Sequence, residues 1–157
     1  MLRIRAVGVE DWQVWRGLRL RALEEAPYAF GSRFTEWQDA PEERWRARLT
    51  EVPLNLVGDY SGQPAGMTSL TAVDDAGDAE LISMWVAPEA RGRGMGDALI
   101  SSAVSEARRA RAHRVVLWVV QDNRRAEQLY RRHGFHDVLV DGRPRLEDGE
   151  RFMALPL

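Results

Sequence analysis

The sequence predicts a layered α/β domain with a mixed central sheet and helices on both faces, and three observations predict it. Short apolar runs with period-2 alternation are interleaved with amphipathic stretches of helical period, the pattern of strands and helices sharing one core. The 157 residues suit one domain and suffice to close one hydrophobic core, so residues 1–157 are expected to form a single unit. Hydrophobic residues make up 45% of the chain and charged residues 29%, the balance of a folded protein rather than a disordered one.

Leu2, Ile4 and Ala6 alternate with Arg3 and Arg5, which predicts a half-buried first strand. A helix starts near Asp11: Trp12, Trp15, Leu18, Leu20 and Leu23 follow helical spacing, and Pro27 ends the pattern. The stretch from Tyr28 to Trp37 reads as a loop. Pro41, Glu42 and Glu43 open a second helix, with the acids placed where the helix dipole favours them, and it ends before Pro53. Strands are expected from Leu54 to Tyr60 and from Ala65 to Val73, joined by a turn of Ser61, Gly62, Gln63 and Pro64. After the acidic DDAGDA turn come an apolar strand from Glu80 to Val86, a glycine-rich turn and a helix from Asp97 to Arg111 with Ile100, Val104 and Ala107 inward. A strand from Val115 to Val120 and a helix from Arg124 to Arg132, stopped by Gly134, follow. Two strands around Val138 and Met153, across an Asp148-Gly149 turn, finish the order β-α-α-β-β-β-α-β-α-β-β.

Composition excludes several chemistries. There is no cysteine, which removes disulfides, thiolate metal sites and acyl-cysteine intermediates. All 22 basic residues are arginines, so neither a P-loop lysine nor a Schiff-base lysine exists. His113, His133 and His136 lack the spacing and carboxylate company of a metal site, and none is expected. A net charge of −2 gives no general attraction to nucleic acid or membranes. With no apolar run of membrane-spanning length and no signal-like start in MLRIRAVGVE, the expected location is cytoplasmic.

The most informative segment is LISMWVAPEARGRGMGDALI, from Leu81 to Ile100, where strand, glycine-rich turn and helix follow directly. A turn feeding a helix N-terminus points unpaired backbone N–H groups at one spot, and glycines let a pyrophosphate approach. For Gly92, Gly94 and Gly96 alone, a tight turn is the simpler account. A dinucleotide fingerprint would need glycine where Asp97 stands. The segment resembles the acetyl-CoA motif of the GNAT acetyltransferase superfamily, with Arg91, Gly94 and Gly96 at the motif's positions. A second stretch, VVLWVVQDNRRAEQLYRRHGF, is similar to the family's other half-site, with Asn123, Tyr130 and Gly134-Phe135 matching.

The resemblance implies acetyl-CoA as co-substrate. It places backbone at Met84, Trp85 and Val86 against the acetyl-pantetheine end, Arg91, Gly92, Arg93, Gly94, Met95, Gly96 and Asp97 around the pyrophosphate, and Asn123 on the pantetheine arm. Tyr130 is the family's general acid for the departing sulfur; the alternative is a tyrosine that only packs its ring. Glu80, eleven residues before Arg91, takes the place where histone-acetylating members carry a glutamate base; the alternative is a solvated carboxylate. Ribosomal-protein-acetylating members carry their glutamate where this chain has Trp118.

The acceptor is expected to be a primary amine, a small molecule in preference to a protein, attacking directly in a ternary complex with a backbone N–H near Val86 holding the oxyanion. The family's acceptor site implies Tyr28, Phe30, Arg33 and Trp37, each of which packing would also explain. A protein or peptide acetyltransferase and a non-catalytic acyl-CoA-binding regulatory module stay open. A homodimer is compatible with the resemblance, and no surface for it is identified.

Overall fold

The computed structural model describes residues 1–25 and 34–157. Strand β1 (Leu2–Ala6) pairs antiparallel with β2 (Leu54–Tyr60), and β2 pairs antiparallel with β3 (Gln63–Leu70). The β2–β3 turn is only Ser61 and Gly62, both at positive φ (51° and 81°), a conformation that matches the twist of a tight hairpin. Gln63 and Pro64, expected in the turn, therefore open the strand. Strand β4 (Asp78–Val86) starts before the expected Glu80, and β5 (Arg114–Val120) one residue before Val115.

Five helices accompany these strands among the described residues: α1 (Trp12–Glu25), α2 (Phe34–Trp37), α3 (Glu42–Glu51), α4 (Met95–Arg109) and α5 (Arg124–Arg132). The short α2 falls inside the stretch read as loop, and α4 begins and ends two residues earlier than expected. Its buried face is Met95, Leu99, Ile100, Ala103 and Ala107, with Val104 only partly buried. Beyond α5 the chain forms β6 (His136–Asp137), β7 (Leu139–Val140), β8 (Arg143–Pro144), β9 (Leu146–Glu147) and β10 (Glu150–Pro156). A second hairpin at Asp141-Gly142, both at positive φ, divides what the sequence suggested was one strand.

The main sheet runs β1-β2-β3-β4-β5-β10-β6, with β9 also on β10, and β4–β5 is its parallel pair. Helices cover both faces. Gly58 and Gly66, opposite each other on β2 and β3, leave the hole that Met95 of α4 fills; a Cβ at Gly66 would stand 2.5 Å from its Sδ. On the other face Arg48 of α3 reaches Asn55 of β2 and Ser69 of β3. No helix among the described residues is long and apolar enough to cross a membrane.

One irregularity shapes the rest of the molecule. Strands β4 and β5 pair only at Asp78↔Arg114, Ala79↔Val115 and Glu80↔Val116, and then part. Between Ile82 and Trp85, β4 spends one residue more than the facing stretch of β3, and Ser83 there has a φ of 55°. A bulge of this kind bends its strand, here the half of β4 that has left β5.

Candidate active site

The fork between β4 and β5 opens into a cavity of about 1090 Å3. Beyond Glu80 the edge of β4 that faces β5 has lost its strand partner, so its main-chain groups need others. The side on which they point follows from one hydrogen bond. Ala87 N–H donates to Ala65 O on the β3 side (2.7 Å), so strand alternation turns the N–H and C=O of Val86 toward the fork. That C=O accepts from Arg91 Nε at 2.9 Å, and the N–H remains directed into the opening.

At one end of the cavity lies the glycine turn. Gly92 and Gly94 sit at φ of 73° and 86°, and Gly94 is the cap residue from which α4 starts. Ala98 N–H closes the first helical turn onto Gly94 O, leaving the N–H groups of Met95, Gly96 and Asp97 without intrahelical acceptors. Met95's side chain is buried in the core, so its share of the site is backbone. Gly96 serves close packing: a Cβ there would come within 2.9 Å of Leu129 Cδ2 on α5. Asp97 would repel an anion, but its hydrogen bonds with His133 Nε2 (2.7 Å) and Arg132 (3.2 Å) pull its carboxyl below the usual range, and the Arg132 guanidinium compensates its charge.

Two arginines of this turn have side-chain partners elsewhere in the chain. Arg91 lines the cavity, yet its Nη2 bonds both oxygens of Glu25 at 3.0 Å, so it anchors the turn to α1 and to Val86. Arg93 does not line the cavity; its guanidinium lies over Tyr60, 5.2 Å from the ring centroid. The Trp85 indole is likewise turned away, donating to Glu25 at 3.0 Å, which leaves backbone as its contribution.

Asn123 and Tyr130 reach the cavity from the β5 side. Asn123 is the N-cap of α5, its Oδ1 accepting from Ala126 N–H at 3.3 Å, and its amide nitrogen carries the donors it can still offer. Tyr130 is buried and packs on Phe135 with ring centroids 5.8 Å apart. Burial pushes its phenol pKa well up, so the hydroxyl keeps its proton throughout the neutral range.

Glu80 stands on the last paired rung of the fork and lines the cavity. Burial, and secondarily the nearby Glu150, raises its carboxyl above the ordinary range. A proton is therefore held in the folded state at a pH where the unfolded chain has released it, and stability falls as pH rises through that window. Glu80→Gln should accordingly melt higher than the parent at neutral pH, with the difference fading below the ordinary carboxylate pKa. Turnover should fall in the same variant, and less so at high pH, where an amine is already deprotonated. A variant less stable at neutral pH, measured by thermal melts across pH, would contradict this assignment.

The remaining wall comes from the helices α1 to α3: Trp15, Arg19, Trp37, Trp45 and Arg48. Trp37 and Trp45 meet at 4.8 Å, and Arg44 covers Trp37 at 4.0 Å. Of the four residues expected at an acceptor site, Trp37 is here; Tyr28, Phe30 and Arg33 lie outside the described residues.

The model of the acetyltransferase (GNAT) family matches residues 18–135. The chain belongs to that family. A mycothiol acetyltransferase of Clavibacter sepedonicus is 31% identical over 132 residues, 84% of this chain and 42% of that protein. The chain spans less than half the length of the first curated relatives it matches. In fold it superposes on a GNAT-family acetyltransferase of Streptococcus pneumoniae with a TM-score of 0.79 at 20% identity, covering 100% of both chains. A ribosomal-protein-S18-alanine N-acetyltransferase of Escherichia coli gives 0.71 at 21% identity, covering 99% of this chain and 94% of that one.

Within this GNAT chain several cavity residues escaped the sequence reading. Arg124, Arg125 and Arg132 line it from α5, and the arginine doublets at the two ends of that helix were the available signal. Glu150 lines it too; the Asp148-Gly149 turn fixes it as the first residue of β10, opposite Val120 at the open end of β5. Arg19 and Arg48 had no signal, being two arginines among many on helices rich in them. No group of three or more His, Asp or Glu side chains suited to a metal ion occurs among the described residues.

Proposed function

We propose that residues 1–157 form one N-acetyltransferase domain that moves the acetyl group of acetyl-CoA onto a primary amine by direct attack in a ternary complex, with a small-molecule acceptor and a cytoplasmic location. The observation that carries this reading is the single cavity running along the β4–β5 fork. It joins an anion cradle, a strand edge in need of partners, a buried phenol and a half-buried carboxylate to an aromatic and arginine-lined wall. A ligand long enough to span the first three has a pyrophosphate, an amide-bearing arm and a thioester in that order.

The N–H groups of residues 95–97 receive the pyrophosphate, with Arg124 and Arg125 adding charge for further phosphate. The freed edge of β4 and the Asn123 amide bond the arm as an added strand would. At the thioester the Val86 N–H faces the developing oxyanion. Glu80, directly or through water, takes the proton of the ammonium so that the nitrogen can attack the carbonyl carbon. The C–N bond forms, the C–S bond breaks, and the Tyr130 hydroxyl protonates the departing thiolate. Cysteine being absent, no acyl-cysteine relay enters.

A protein or peptide acceptor is the second reading; the Escherichia coli structure is named for an alanine of ribosomal protein S18. Against it stands Trp118, which lines the cavity where the ribosomal-protein-acetylating pattern implied a glutamate. A panel of amines assayed for free thiol with acetyl-CoA tests the proposal.

A further inference from the structure

Arg48 is held as a positioned cation. Its Nη1 donates to Asn55 Oδ1 (3.0 Å) and its Nη2 to Ser69 Oγ (3.0 Å) and Ser83 Oγ (3.2 Å), while the guanidinium lies 5.3 Å from the Trp15 ring centroid. These acceptors are themselves fixed: Ser69 Oγ donates to Asn55 Oδ1 at 2.7 Å, and the Asn55 amide nitrogen donates to Val52 O at 2.8 Å. All three are neutral. No carboxylate lies within ion-pairing distance of Arg48 among the described residues, and residues 26–33 contain no Asp or Glu. A guanidinium has five N–H donors, more than these contacts use.

Arg19 lines the same wall. Burial, and then the charge of Arg48, lowers its pKa to about 10, so it remains a cation at neutral pH. Trp45 is fully buried on this wall, and its Nε1 has no acceptor among the described residues. Two cations beside aromatic surfaces suit a flat anion attached to an apolar body.

We infer that the acceptor is an amine that also bears a carboxylate, received by Arg48 and Arg19 between Trp15 and Trp45 while its nitrogen faces Glu80. The inference rests on the acetyl-transfer reading and adds the substrate class. Ser83 links the two functions, because the strand that carries Glu80 is the one Arg48 grips. Guanidinium and carboxylate match as a planar, bidentate pair, which a carboxamide cannot reproduce.

The test compares each of the L-amino acids with its carboxamide, and aminoalkyl phosphates as a third set, by free-thiol release. Wild type should use carboxylates at least about tenfold better in kcat/KM, mainly through KM. Arg19→Gln should erase that preference while leaving the acetyl-CoA melting shift intact. Arg48→Gln should do the same if it folds, and Arg19→Gln decides the matter if it does not. Equal use of acid and amide, a preference for phosphate, or a preference that survives in Arg19→Gln would overturn the inference alone. Should no amine of any set release thiol, the transfer reading fails. Calorimetric titration of the amino acids into CoA-saturated protein then decides: binding that Arg19→Gln abolishes upholds the carboxylate site, and no binding overturns it.

Discussion

Tyr130→Phe should lower the rate constant for acetyl transfer by about 100-fold to 10,000-fold while acetyl-CoA affinity changes little. The magnitude is that of a general acid, and the assignment rests on the leaving group. Tyr130 is buried against Phe135 and keeps its proton, so the hydroxyl is there to donate when the thiolate departs. Phenylalanine preserves the ring and its packing, which separates the hydroxyl's chemistry from the side chain's volume. A large loss of stability would instead indicate a buried hydroxyl hydrogen bond as the main role. A thioester whose thiol leaves easily should narrow the gap between wild type and variant. Equal losses with good and poor leaving thiols, with chemistry limiting the rate, would make Tyr130 a positioning residue.

Gly94→Val should abolish the rise in melting temperature that acetyl-CoA gives the parent, a rise worth about 2.7 kcal/mol at a hundredfold excess over Kd. The sequence suggested that a side chain here would occupy the pyrophosphate's place. The structure adds a second cause, in the backbone. A Cβ on Gly94 would meet only Leu2 Cδ1, at 3.8 Å, so space is available. The φ of 86° is what valine cannot hold without strain, and a change there rotates the N–H groups that open α4. The ligand-free variant should also melt lower than the parent, so the quantity to compare is the shift between bound and free protein. An undiminished shift would remove the turn from the binding account.

Helix α5 was legible at both ends because its signals are local: Asn123 caps it through its own side chain and Gly134 takes a positive φ of 94°. The glycine turn was legible for the same reason. The bulge at Ser83 was not, since only the registers of β4 with β3 and β5 reveal it. Side-chain direction was the other gap. Arg91 and Arg93 stand in the expected turn, yet Glu25 holds one and the Tyr60 ring lies beneath the other, and both partners are distant in sequence. Arg48 was hidden on α3 for a related reason: helical spacing marks Trp45 and Leu49 as inward, and nothing in the sequence says that Asn55, Ser69 and Ser83 await a cation between them.

The central claim is that the fork cavity carries acetyl from acetyl-CoA to an amine, and the measurement that tests it most directly follows free thiol and acetylated amine together. Purified protein with acetyl-CoA alone should release thiol slowly. With a suitable amine, thiol and acetyl-amine should appear in equal amounts and at a rate that Tyr130→Phe depresses. Acetyl-CoA that binds and raises the melting temperature, with no amine in the panel accelerating thiol release, would contradict the claim and leave an acyl-CoA-binding module in its place.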